Sequence, residues 1–89
     1  MKTIVAIVRG RVQGVFFRKY TRQEAEKLNV KGYVQNLPDF KSVKIVAQGE
    51  NAEKLIQWAR TKGSPASEVK SVETRVEDQR PYNTFSVRY

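Results

Sequence analysis

The sequence predicts an α+β protein, with two helices packed on one face of an antiparallel sheet. Three observations carry this. Apolar residues recur twice at helical spacing, at 17–29 and 51–62. Short apolar or alternating runs flank each helical stretch. Turn-forming residues separate the two runs that lie between the helices.

Residues 3–9, TIVAIVR, are mostly apolar and β-branched, as in a central strand buried on both faces. Glycines follow at 10 and 14. Phe17, Thr21, Ala25 and Leu28 then line one side of a helix, with Asn29 and Gly32 as stop signals. GYVQN at 32–36 is a short strand, and LPDFKS at 37–42 is a turn with Pro38-Asp39 at its centre. In VKIVAQG at 43–49, Val43, Ile45 and Ala47 alternate with Lys44, Val46 and Gln48, so one face is more buried. Strand, turn and strand make a hairpin. Ala52, Leu55, Ile56 and Ala59 form the stripe of a second helix, ended by Gly63 and Pro65. Trp58 lies off that stripe and covers the helix edge. Val69, Val72, Thr74 and Val76 mark a fourth strand. After the polar link EDQRPYN, Phe85, Val87 and Tyr89 alternate in a short extra C-terminal strand.

The order βαββαβ is the ferredoxin-like split β-α-β sandwich. The sheet face away from the helices is expected to be open. The length, 89 residues, predicts a single domain over 1–89. Enzymes, carriers and RNA binders all use this architecture, so it does not assign a function.

Composition narrows the chemistry. There is no Cys and no His, which excludes disulfides, thiolate or imidazole metal sites and His-based triads. No dense carboxylate cluster suits Mg²⁺. The first apolar run, Ile4 to Val8, is too short for a signal core or a membrane span. An unprocessed, cytoplasmic monomer with no membrane partner is expected. With 17 basic and 9 acidic residues the net charge is +8, which attracts anions without choosing among them. Arg9, Arg11, Arg18, Lys19 and Arg22 fall in one acid-free stretch around the glycines.

The loop Gln13, Gly14, Val15, Phe16, Phe17, Arg18 joins the first strand to the first helix. Amides at a helix start lack intrahelical partners and favour an anion. Gly14 allows positive φ and close approach. Arg18 can offer two parallel donors to phosphate oxygens. The residues alone leave two readings open: a phosphate nest, or a glycine turn beside a solvated arginine. Asn36 is the second candidate. It either caps the turn after its strand or orients a water.

GRVQGVFFR together with GYVQN resembles the acylphosphatases. Gly10, Val12, Gln13, Gly14, Val15, Phe17 and Arg18 fill every fixed position of that family's first motif. Gly32, Tyr33, Val34 and Asn36 fill the start of the second. VAQG, GSP and the terminal FSVRY are also similar to family members, so the likeness spans the chain. It implies hydrolysis of an acyl phosphate to carboxylate and inorganic phosphate, with no cofactor, no metal and no covalent enzyme intermediate. It implies that Arg18 and the backbone amides of Gln13, Gly14, Val15, Phe16, Phe17 and Arg18 bind the phosphate. It implies that Asn36 orients the attacking water.

Two positions depart from the family pattern. Phe16 stands where many relatives carry a small residue, so its side chain is expected outside the cradle. Phe40 replaces a glycine in the turn, and one extra residue separates Asn36 from Val43. That turn either reaches the same end by another geometry or shifts Asn36. The alternative reading is an anion- or nucleic-acid-binding module with little hydrolytic activity. KGYV faintly resembles an RNA-recognition strand, but the further aromatics of that motif are missing, so no specific nucleic acid is expected.

Overall fold

The computed structural model describes residues Met1–Tyr89. Its elements are β1 (Lys2–Arg11), α1 (Phe17–Leu28), β2 (Lys31–Asn36), β3 (Ser42–Gln48), α2 (Ala52–Thr61), β4 (Glu68–Asp78) and β5 (Phe85–Arg88). The strands form one sheet in the order β4-β1-β3-β2-β5. β1 pairs antiparallel with β3 and β4, and β2 pairs antiparallel with β3.

β5 departs from the expected all-antiparallel sheet. It runs parallel to β2, with Gly32 opposite Phe85 and Gln35 opposite Arg88. The direction follows from where β4 ends. Gln79 N–H bonds the Met1 carbonyl, and Gly32 N–H bonds the Thr84 carbonyl. The link between them therefore crosses the sheet at the end where β2 begins, and a strand leaving that end runs with β2.

Both helices pack on one face. Phe17, Ala25, Ala52, Leu55, Ile56 and Ala59 meet Ile4, Ala6, Val8, Val34, Val43, Ile45 and Ala47 in one core of 17 buried residues. The helical spacing in the sequence holds, because these are the predicted stripe residues. α1 ends where Asn29 turns left-handed at φ 57° and Val30 N–H returns to the Ala25 carbonyl at 2.9 Å. That contact satisfies an end carbonyl and buries Val30.

The far face of the sheet is not open. Val5, Tyr33 and Val46 form a second buried cluster there, and Tyr82 of the 79–84 link packs on it. Gln48 fastens that link. Its amide nitrogen donates to Thr3 Oγ1 and to the Arg80 carbonyl, both at 2.8 Å, and its oxygen accepts the Tyr82 amide at 2.9 Å. The buried Gln48 is thus fully partnered, as a polar side chain in a core must be. β4 remains an outer strand, with Val76 63% exposed among charged neighbours. Such charges protect an unpaired edge from pairing with another chain.

Candidate active site

The loop after β1 is pinned from below. Val12, Val15 and Phe17 are buried, and Phe17 packs on Trp58 with ring centroids 5.9 Å apart. Trp58 therefore covers the edge of α2 through contact with α1. Burying a ring the size of Phe17 stabilises the fold by about 2–3 kcal/mol. Between these anchors the backbone turns twice into the left-handed region, at Gly14 (φ 72°) and Phe16 (φ 59°), with Val15 of ordinary φ between them. Alternation of this kind points successive N–H groups into one concavity, a nest for anions.

The concavity is supplied with donors. None of the amides from Gln13 to Lys19 has an acceptor within the chain; the first helical bond there is Tyr20 N–H to the Phe16 carbonyl. Phe16 is the N-cap and has no capping side chain, and no acid lies in the first turn. The positive end of the helix dipole therefore faces the loop uncompensated. A Cβ built on Gly14 would meet nothing within 4 Å, so the backbone there borders open space.

That space is a cleft of about 620 Å³. It is lined by Gly14, Phe16, Arg18, Lys19, Arg22 and Asn36, with Val12, Phe17, Val87 and Tyr89 completing the wall. No Asp or Glu side chain lies among these cations on this wall. Arg22 is partly neutralised from outside by Glu26, 3.5 Å away.

Arg18 is held from the far end of the chain. Its Nη1 donates to the Arg88 carbonyl at 2.8 Å, and its guanidinium carbon lies 4.5 Å from the Tyr89 ring centroid. Arg88 in turn stacks over Tyr33 at 3.6 Å. β5 thus brings to Arg18 a clamp that no local pattern announces. One guanidinium edge is used by the clamp, and the rest of the fork remains for the cleft.

Asn36 ends β2 and lines the same cleft. Its Oδ1 is buried and has no hydrogen-bond partner. An orphaned buried acceptor costs about 1–3 kcal/mol unless something supplies a donor. The expectation that Asn36 caps the following turn is therefore not met. Asp39 caps it instead, accepting from the amides of Lys41 and Ser42 at 2.9 Å each and from the Ser42 hydroxyl at 2.6 Å. These bonds, led by the Ser42 hydroxyl, hold the exposed Asp39 carboxyl below its ordinary value. Phe40 adopts φ 62° itself, with its ring 83% exposed. The turn lacking glycine thus closes through a strained residue and a capping carboxylate, and Leu37 N–H still bonds the Ser42 carbonyl at 3.0 Å.

Gln13 is placed by its side chain as well as by its amide. Its Nε2 donates to the carbonyls of Leu37 at 2.9 Å and Ser42 at 2.8 Å, which ties the loop to the turn. Val15 contributes only backbone to the site, since its side chain is in the core. The side chain of Phe16 lies outside the loop, as expected, and is 73% exposed. The sequence reading did not single out Val87, Tyr89 or the Arg88 carbonyl as parts of the site. Their only signal was the similarity of FSVRY to relatives.

Fold and cleft together define a ferredoxin-like α/β sandwich with a loop of unpartnered amides between its first strand and first helix. Comparison with known proteins gives the class its name. Residues 4–87 match the family model of the acylphosphatases. The acylphosphatase of Caldivirga maquilingensis is 46% identical over 86 residues, covering 93% of this chain and 90% of the relative. That of Yersinia pseudotuberculosis is 42% identical over 88 residues, covering 97% and 95%. The crystal structure of acylphosphatase from Bacillus subtilis superposes with a TM-score of 0.89 at 37% identity over the whole of both chains. The chain belongs to the acylphosphatase family.

Proposed function

We propose that this protein hydrolyses the carboxyl-phosphate bond of acyl phosphates, with Arg18 and the 13–18 amides holding the phosphate and Asn36 holding the attacking water. The observation that carries the reading is Asn36, whose Oδ1 has no partner within the chain, on the cleft that Arg18 and Gly14 also line. An amide so placed accepts a hydrogen bond from the water and aims the oxygen lone pair across the cleft. The water oxygen bonds to phosphorus as the bond from phosphorus to the acyl oxygen breaks. The carboxylate leaves with that electron pair, and the water's proton passes to a phosphate oxygen.

The catalytic power in this scheme comes from position and charge. Amides fixed by the buried Val12, Val15 and Phe17 need no reorganisation as charge spreads over the phosphoryl oxygens. Arg18 supplies a positive charge at fixed orientation because the Arg88 carbonyl and the Tyr89 ring restrain it. The working unit in this reading is a monomer. No helix is long and apolar enough to cross a membrane. The absence of Cys fits a cytoplasmic site of action.

The test is inorganic phosphate release from acetyl phosphate in the presence of EDTA. Turnover is expected there, and Arg18→Ala should lower it by about 10²–10³-fold. Arg18→Lys should also be poor, since an ammonium lacks the planar fork. Full turnover in Arg18→Ala, or none in the native chain, would overturn the reading.

A further inference from the structure

We infer that β4 pairs with β4 of a second copy of this chain, antiparallel about Thr74, so that two sheets join edge to edge in a weak symmetric dimer. This surface lies apart from the cleft, since no residue of β4 lines it. Each copy keeps its own site, and the hydrolytic unit stays the single chain.

β4 is an outer strand with β1 on one side only. Met1 and Gln79 exchange two backbone bonds: the Gln79 amide donates to the Met1 carbonyl at 3.0 Å, and the Met1 amine to the Gln79 carbonyl at 2.8 Å. Antiparallel bonding alternates from that pair along the strand. With Glu77 opposite Thr3, Arg75 opposite Val5 and Glu73 opposite Ile7, these three residues commit their backbone groups to β1. Val72, Thr74 and Val76 turn theirs outward. Among those outward groups the Val72 carbonyl has a partner, Arg60 Nη1 at 3.5 Å, the limit of a hydrogen bond. The second lone pair of that carbonyl stays free.

The residues of β4 choose the partner. With a second copy turned about a two-fold axis at Thr74, Val72 falls opposite Val76 and Glu73 opposite Arg75, each pair occurring twice by symmetry. In that register the outward N–H and C=O groups of Val72, Thr74 and Val76 all meet one another. Both valines lie on the helix side, because Val76 is opposite Ile4 and Val72 packs on the same core. Their contact covers Val76, the most exposed apolar residue of the strand. Glu73 and Arg75 meet on the other face. Within one chain their partners are exposed ones, Arg9 at 3.1 Å from Glu73, and Glu77 beside Arg75. Such surface pairs are weak and leave both charges free to face a second strand.

Other registers are worse. A slip of two residues one way puts Glu73 opposite Glu73. The same slip the other way puts Arg75 opposite Arg75 and Glu73 opposite Glu77. Slips of four residues lose both Glu73–Arg75 pairs. Slips of one residue set outward backbone groups against committed ones. The charges that keep β4 from pairing at random thus favour one register with its own copy.

Sedimentation equilibrium of the full chain tests this. A contact between two strands is small and transient, so a dimer with Kd of about 10⁻⁵–10⁻³ M is expected. Glu73→Arg sets arginine against Arg75 twice, and Arg75→Glu sets glutamate against Glu73 twice. Each variant alone should weaken the dimer by at least about tenfold. An equimolar mixture of the two restores both pairs and should associate within about threefold of the native chain. The mixture is also the folding control, since misfolded variants would not restore association. As the native chain is concentrated, amide hydrogen exchange should slow at Val72, Thr74 and Val76 and stay constant at Glu73 and Arg75. A native chain that remains monomeric at about 1 mM overturns the inference. So does a single variant that dimerises as the native chain does, or a mixture that associates no better than its components.

Discussion

Gln13 Nε2 donates to the Ser42 carbonyl at 2.8 Å, across 29 positions of the chain. The same nitrogen reaches the Leu37 carbonyl at 2.9 Å. These bonds join the loop that carries Arg18 to the turn that follows Asn36. The longer turn therefore does not float free of the cradle. Gln13→Leu should lower kcat by about 10- to 100-fold, because a shift of ~1 Å between the cradle and the attacking water is costly. The KM should change less, since the amides remain. Loss of the two bonds should also destabilise the fold by about 1–3 kcal/mol in urea unfolding. A rise in KM with kcat unchanged would place Gln13 in phosphate binding alone.

Asn36→Ala removes the buried acceptor and leaves the turn intact, because Asp39 does the capping. Turnover should fall by about 10²-fold while the Kd for inorganic phosphate stays within about twofold. The unfolding free energy should hold or rise slightly, as an unpartnered buried oxygen is removed. Phosphate affinity that drops in step with the rate would make Asn36 a binding residue.

Tyr89 restrains Arg18 through its ring face at 4.5 Å. An exposed contact of this type contributes about 0.5–1 kcal/mol. Tyr89→Ala should weaken inorganic phosphate binding by about two- to fivefold, with Tyr89→Phe close to native. The Arg88 carbonyl still holds Nη1 in both variants.

Asp39 links the turn to pH. Its carboxyl is lowered by the Ser42 hydroxyl first, then by the Lys41 amide. A lowered group contributes stability that is present above its unfolded value and lost as pH falls through its folded value. The turn should therefore loosen below about pH 4, the ordinary aspartate range. Asp39→Asn should flatten the fall in stability below that pH, measured by thermal unfolding from pH 6 to pH 2. A variant with the native acid slope would sever the turn from this carboxylate.

Phe40 holds φ 62° with its ring in solvent. Phe40→Gly removes left-handed strain of about 1–2 kcal/mol and adds some unfolded-chain entropy. The net gain of up to about 1 kcal/mol should raise Tm by about 4–8 °C. A lower Tm would show that the exposed ring supports the turn.

Both helical stripes and the two strands of the hairpin were legible because each repeats its apolar residues at a fixed spacing. The first loop was legible for a different reason. Glycine, arginine and the junction of strand with helix allow an anion but equally a plain turn, and the likeness to the acylphosphatase motif chose between them. Phe16 and Phe40 were opaque in conformation, since an aromatic residue disfavours positive φ and only the closed turn around it forces that choice. Gln48 looked like the polar face of a half-buried strand, and its burial under Tyr82 came from a link that carries no periodicity.

The sequence by itself determined the element order, the helix faces that pack, and a glycine- and arginine-bearing strand–helix loop in a chain without His or Cys. Those are local properties, set by side-chain period and residue chemistry. Only the tertiary structure decided that β5 runs parallel to β2, that Arg88 holds Arg18 from 70 positions away, and that Gln13 braces the turn beyond Asn36. Each of these is a directional bond between segments far apart in the chain. Spacing records which way a side chain faces; which distant carbonyl it meets is settled only when the sheet closes around it.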